Sequence, residues 1–281
     1  MTDADLVHLE KFFGDYTQRF ADTAGRLHPM QQLKAEHSRH VAATAALILA
    51  AEQWPELARR RGMACAWLHD IGRFAQFAEY GMFEDSKSIN HATRGVTVLR
   101  TEGVLDALTP DTREIILVAV GCHNMRDLAP TLAAAHAPFV HLVRDADKLD
   151  IFRVFEDAVR ADHLTKHPEI AWSLPVDGAV SPEVLAAVAT GQTVSYQLVR
   201  TVCDFVMIQV GWISQQLYSD AALALACERG ALAFRESFVL QIDNSPAVRA
   251  CFAATHRTVE ERLRLARPHR NEPKQPPKNT D

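Results

Sequence analysis

Trp67-Leu68-His69-Asp70-Ile71-Gly72-Arg73 is the stretch that decides how this chain reads. It holds the sequence's one His-Asp dipeptide, with apolar residues before it and Ile-Gly after it. A polar pair inside an apolar run needs a partner, because an unpaired buried charge is costly. A metal ion is one such partner: the Asp70 carboxylate can bridge two ions while His69 binds one of them. The dipeptide alone is a weak signal, since most His-Asp pairs lie on surfaces and bind nothing. Its surroundings strengthen it. Upstream, His37 of Glu36-His37-Ser38-Arg39-His40-Val41 falls, in a helix, on the same apolar face as Val41, Ala45 and Ile48. Downstream, the apolar run 139–143 leads into Arg144-Asp145-Ala146-Asp147-Lys148-Leu149-Asp150. Between them, Asn90-His91-Ala92 stands at an expected helix start and Gly121-Cys122-His123-Asn124 at an expected helix end.

The remainder of the sequence predicts helices. Three- and four-residue apolar spacing dominates, and no strand-like alternation supports a sheet. Helices are expected over 36–54, stopped by Pro55; over 55–70; over 91–102, with Gly103 as a stop; from the Thr109-Pro110 start towards His123; and over 138–160, opened by Pro138. Residues 81–91 read as a loop. Residues 163–192 are irregular, two or three helices follow over 195–240, and a last helix runs from near Ser245-Pro246 to near Arg267. The expected fold is therefore all-α. It divides into a core over 1–162, a helical extension over 163–266 packed on that core, and a polar, proline-rich tail over 267–281 expected to be disordered.

Composition narrows the function classes. Of the 281 residues, 48% are hydrophobic, enough for a full-sized core, and the net charge of −5 gives no support for a nucleic-acid binder. A nucleotide substrate stays open, because a metal supplies positive charge locally. The five cysteines, Cys65, Cys122, Cys203, Cys227 and Cys251, are widely spaced and form no C-x-x-C pair, so they read as reduced thiols. The acidic N-terminus lacks the pattern of a signal peptide, and no apolar run reaches the roughly 18 residues of a membrane span. The expectation is a soluble, cytoplasmic protein that associates with no membrane and binds no nucleic acid stably.

In order and residue type, these elements resemble the HD superfamily of metal-dependent phosphohydrolases. That family carries a His on one helix, a His-Asp pair on a later one and an Asp on another still later. Here those are His37, followed by Ser38 and Val41 as in the family's His-Ser-x-x-Val pattern; His69-Asp70; and Asp147, which opens Asp147-Lys148-Leu149-Asp150. Members with two metals add two histidines, in the places of His91 and His123. The resemblance covers roughly residues 30–155. It implies an HD-type helical core with two divalent transition-metal ions (Fe, Mn, Co, Zn or Ni), for which four imidazoles and two carboxylates are suited. His37, His69 and Asp147 would hold one ion, His91 and His123 the other, and Asp70 would bridge. The chain departs from the cyclic-di-GMP branch, which has two adjacent histidines where this chain has His123-Asn124 and a Gly-Tyr-Pro motif absent here.

Arg73 stands where many members have lysine. With Lys148 it is a candidate phosphate or transition-state contact beside Asp70, and Lys87 and Arg94 flank His91 as weaker candidates. Each residue also has a plainer reading. His40, one turn from His37, competes with it as a ligand. Asp85, in the loop before His91, reads as an ordinary turn residue. Arg59-Arg60-Arg61 reads as a solvated helix face. The expected activity is hydrolysis of a small phosphomonoester or phosphodiester, a nucleotide among the options, by metal-activated water. Two alternatives remain: a mixed-valence diiron oxygenase, which some HD members are, and a non-catalytic nucleotide-binding HD module. The substrate and the oligomeric state are left open.

Overall fold

The structure, a computed structural model, describes residues 1–166 and 168–266. The tail expected to be disordered, 267–281, lies outside the described residues. In chain order the helices are α1 (Asp3–Gln18), α2 (Pro29–Ala51), α3 (Glu56–Leu68), α4 (Gly72–Tyr80), α5 (His91–Thr101), α6 (Pro110–Cys122), α7 (Ala137–Arg160), α8 (Pro182–Ala189), α9 (Val202–Gly211), α10 (Asp220–Glu228), α11 (Ala231–Ile242) and α12 (Pro246–Ala266). No strand occurs among the described residues, so the all-α expectation stands. No helix of the described residues is long and apolar enough to cross a membrane.

Local chemistry sets where these helices start. Thr2 and Asp5 exchange side chain-to-backbone hydrogen bonds at the start of α1, and Thr201 and Asp204 do the same at α9. The Asn90 carboxamide oxygen accepts the Thr93 N–H at 3.0 Å and so fixes the start of α5 at His91. Pro29 and Pro110 occupy first-turn positions, where a missing N–H is harmless. Three expectations need correction. The helix expected from residue 36 already begins at Pro29. The one expected to reach Asp70 stops at Leu68 and leaves His69-Asp70-Ile71 in a tight turn. Helices α1 and α4 were not anticipated.

That turn explains the glycine after the His-Asp pair. A methyl group on Gly72 would sit 2.2 Å from the His91 carbonyl oxygen and 2.4 Å from the Gly95 nitrogen. Only glycine lets the start of α4 touch the start of α5, and this contact brings His69-Asp70 beside His91.

Helix α2 packs between α3 and α7, α1 lies on α3, and α4, α5 and α6 pack in succession. One apolar cluster joins α1 and α3–α6 through Leu9, Phe13, Leu68, Phe74 and Ile116. A second starts in α2 and α7, with Ile48, Leu49, Phe152 and Phe155, and continues through Val206, Met207, Ile213 and Phe252. Burying each phenylalanine contributes about 1.5–3 kcal/mol, so the C-terminal helices share one interior with α2 and α7. Two buried polar contacts bind the same joint. Asp145 of α7 accepts the backbone N–H groups of Tyr218 and Ser219, both at 2.8 Å. Fully buried Arg235 of α11 donates to Glu156 of α7 at 2.8 Å and to the Gln209 side-chain oxygen, and lies 4.3 Å over the Phe152 ring.

Removing Arg235 strands the Glu156 carboxylate, which is only 7% exposed. Arg235→Ala should lower the unfolding free energy by about 3–5 kcal/mol in urea titrations. Arg235→Met, which keeps the packing, should cost less than the alanine change. Equal stability of the alanine variant and the wild type would contradict this role.

Candidate metal centre

Five helices deliver side chains to one buried point. His37 comes from the middle of α2 and Asp147 from α7. His69 and His123 stand at the C-terminal caps of α3 and α6, and His91 opens α5. At the centre is Asp70, with a side chain only 3% exposed. Its Oδ1 faces one histidine pair, His91 Nε2 at 3.3 Å and His123 Nε2 at 3.6 Å. Its Oδ2 faces the other, His37 Nε2 at 3.7 Å and His69 Nε2 at 3.8 Å. Asp147 Oδ1 closes the second group, 3.0 Å from His37 Nε2. His37, His69 and Asp70 form one set able to hold a metal ion; Asp70, His91 and His123 form another.

The imidazoles are oriented from outside. His69 Nδ1 donates to the Ala66 carbonyl oxygen at 2.8 Å and His123 Nδ1 to that of Val120 at 2.7 Å. Both acceptors lie three residues back, at the frayed last turn of a helix, where carbonyls lack helical partners. His37 Nδ1 lies 2.7 Å from Asp150 Oδ2, and His91 Nδ1 lies 2.7 Å from Asp85 Oδ2. Carbonyls and carboxylates only accept, so Nδ1 carries the proton in each ring and the Nε2 lone pair points inward. The consequence is a cluster of facing acceptors: His91 and His123 Nε2 are 3.1 Å apart, and His37 and His69 Nε2 are 3.4 Å apart. Such lone pairs repel unless a cation lies among them, so the donor set fits divalent metal.

The charge states agree. Burial pushes the His69 imidazole down to about 4, and burial together with Arg73 does the same to His91. Both rings are therefore neutral at pH 7. Burial opposes ionisation of Asp70, but Lys34, His69 and Arg73 hold its carboxyl well below the usual range. Burial likewise opposes ionisation of Asp147, and His37 overrides it. For His37 itself, burial and Lys34 disfavour the cation, while Asp147 and Asp150 outweigh them and raise its pKa. Neutral imidazoles and ionised carboxylates are the forms that ligate.

The structure thus brings together all six residues singled out as metal ligands. His40 does not join them: it is half-exposed and only 3.8 Å from Asp150 at the rim. Arg73 reaches Asp70 Oδ1 at 3.5 Å through Nε and donates through Nη1 to the Phe83 carbonyl oxygen and to Asp85. Lys148 is buried, with its Nζ 3.4 Å from the Arg144 carbonyl oxygen and 5.8 Å over the Trp212 ring. Burial, then Arg144, pushes its ammonium down to about 8. Lys87 and Arg94 belong elsewhere, paired with Glu84 and Glu79.

Reading Asp85 as a plain turn residue was wrong. Its carboxylate receives His91, Arg73, the Gln76 carboxamide at 2.9 Å and the Asn124 carboxamide at 3.1 Å. Asp85 lies in an irregular loop, where no periodicity announces a partner. Lys34 was also missed; its Nζ is 3.0 Å from Asp70 Oδ2. One turn before His37, it had a helical signal that could have found it.

Asp85→Ala should leave the His91 ring free to turn. Metal affinity should fall about 10- to 100-fold in chelator competition, with the circular dichroism spectrum unchanged. Unaltered affinity would show that Asp85 does not orient the ring.

With this geometry in place, comparison with known families gives one match: residues 35–151 fit the HD domain. Comparisons with curated proteins and with solved structures gave no match. The matched span opens two residues before His37 and closes four after Asp147, so it contains all six residues of the centre. Residues 35–151 of this chain are an HD domain, the helical domain of a superfamily of metal-dependent hydrolases.

Proposed function

We propose that the chain is a phosphohydrolase acting on a small phosphomonoester or phosphodiester. In this reading His37, His69 and Asp147 hold one divalent transition-metal ion, His91 and His123 hold a second, and Asp70 is shared. The observation that supports it most is the split of the Asp70 carboxylate, each oxygen facing its own histidine pair. Nitrogen and carboxylate donors in this ratio suit Fe, Mn, Co, Zn or Ni. Ions held there would activate water and neutralise phosphoryl oxygens.

The chain's own cations fit the same substrate. The Arg73 Nε–H is buried without a hydrogen-bond acceptor and lies beside Asp70. Its guanidinium is already fixed by Asp85 and Phe83, so an incoming phosphate oxygen meets a donor held in place. Lys148 follows Asp147 on α7 and accepts no carboxylate partner closer than its weak contact with the Arg144 carbonyl, which leaves N–H groups for an anion. Lys34 stands on the other side of Asp70, with its side chain 21% exposed, and adds positive charge at the rim.

Incubating the metal-loaded chain with a panel of phosphomonoesters and phosphodiesters tests the reading. Phosphate release is expected from at least one, and Asp70→Ala should abolish it while the fold persists. No release from the whole panel, with oxygen consumption and a mixed-valence diiron EPR signal instead, would replace this reading with the oxygenase one.

A further inference from the structure

Trp172 and Tyr196 are large aromatic residues that remain 44% and 49% exposed. They come from separate segments, one just after the helical turn Pro168–Ala171 and one in the turn Tyr196–Leu198. Their rings meet edge to face, with centroids 5.1 Å apart and planes at 75°. Trp172 also touches Phe205 of α9 at 4.9 Å, and Phe205 packs on Phe155 of α7 at 5.8 Å. The pair is therefore anchored to the interior through one edge while much of its ring surface stays open to solvent. Trp172 and Ser173 both adopt left-handed backbone conformations, with φ of 55° and 57°. Bulky residues rarely do so, and burial of the indole does not account for it.

The pair lies beside the centre's opening. Among the six residues of the centre, Asp147 has the most open side chain, 20% exposed, whereas the other five are at 5% or below. Burial of its oxygen raises the Tyr196 hydroxyl above its ordinary pKa, and the charges acting on that hydroxyl are those of Arg144, Asp147, Arg126 and Asp127. Tyr196 thus points its polar end towards the accessible side of the centre, and Trp172 extends the aromatic surface outward from it.

We propose that Trp172 and Tyr196 form a stacking platform for a flat aromatic ring carried by the substrate. The inference rests on the phosphate-ester reading of the centre and narrows it: the alcohol side of the ester bears a planar ring, such as a nucleobase. The platform holds the ring at the mouth while the phosphate reaches past Asp147. Aromatic faces stack such rings with little regard to their hydrogen-bonding edges, at roughly tenfold in affinity per ring or more.

Calorimetry on the full, metal-loaded chain tests this with two probes that have no ester bond to break. One is a nucleoside 5′-phosphonate, the other the same ribose phosphonate without its base. The wild type should bind the nucleoside probe roughly tenfold tighter or better. Trp172→Ala should erase that preference and leave the ribose probe's affinity unchanged. Tyr196→Phe should keep the preference and Tyr196→Ala reduce it; the latter pair also serves if Trp172→Ala does not fold. Equal binding of both probes by the wild type, or equal weakening of both in Trp172→Ala, would overturn the proposal. A Trp172-dependent preference in a chain that releases no phosphate would sustain the platform and refute the phosphohydrolase reading alone.

Discussion

One buried carboxylate organises this molecule. Asp70 sits among four imidazole nitrogens, with one oxygen turned to each histidine pair. A charge in that position is tolerable only if cations surround it, and the helices are arranged so that they do. Lys34 approaches from α2 and Arg73 from α4, and the four inward-facing nitrogens call for metal. The close approach at Gly72 follows from the same requirement: without it, α4 and α5 could not bring Asp70 and His91 together.

Around that carboxylate, precision comes from helix termini and from a second ring of acceptors. His69 and His123 end α3 and α6, where unpaired carbonyls three residues back fix their rings. His37 and His91 lie away from such ends and take carboxylate partners instead, Asp150 and Asp85. Four rings are thus held in the same tautomer by two different means. The C-terminal helices join in through α7. Asp145, two residues from Asp147, receives two backbone N–H groups from the segment before α10, and Arg235 reaches Glu156 further along. The frame that positions Asp147 therefore extends well beyond the HD domain.

Much of this was legible in the sequence because it is periodic or capped. The 3.6-residue apolar pattern, proline at helix starts and Asn90 before His91 located most helices and placed His37, His91 and His123 at recognisable points. The His69-Asp70 pair and the Asp147-to-Asp150 run were specific enough to order the six residues. What stayed hidden depends on tertiary structure. α4 is short and follows the Asp70 turn without a side-chain cap. Asp85 finds its four partners only when a loop folds over α4 and α5. Lys34 was legible in principle, one turn before His37, but a lone lysine on a helix has a solvated face as its default reading. Trp172 and Tyr196 lie in the irregular segments where sequence patterns carry least, and only their contact across 24 residues distinguishes them.

The number of metal ions per chain tests the central claim most directly, measured by inductively coupled plasma mass spectrometry on protein purified without chelator. Two transition-metal ions in the wild type, both lost in Asp70→Ala, are the predicted result, because Asp70 is the ligand common to the two sets. A chain that takes up no metal, even after reconstitution with manganese, iron, cobalt or zinc, would contradict the account at its root.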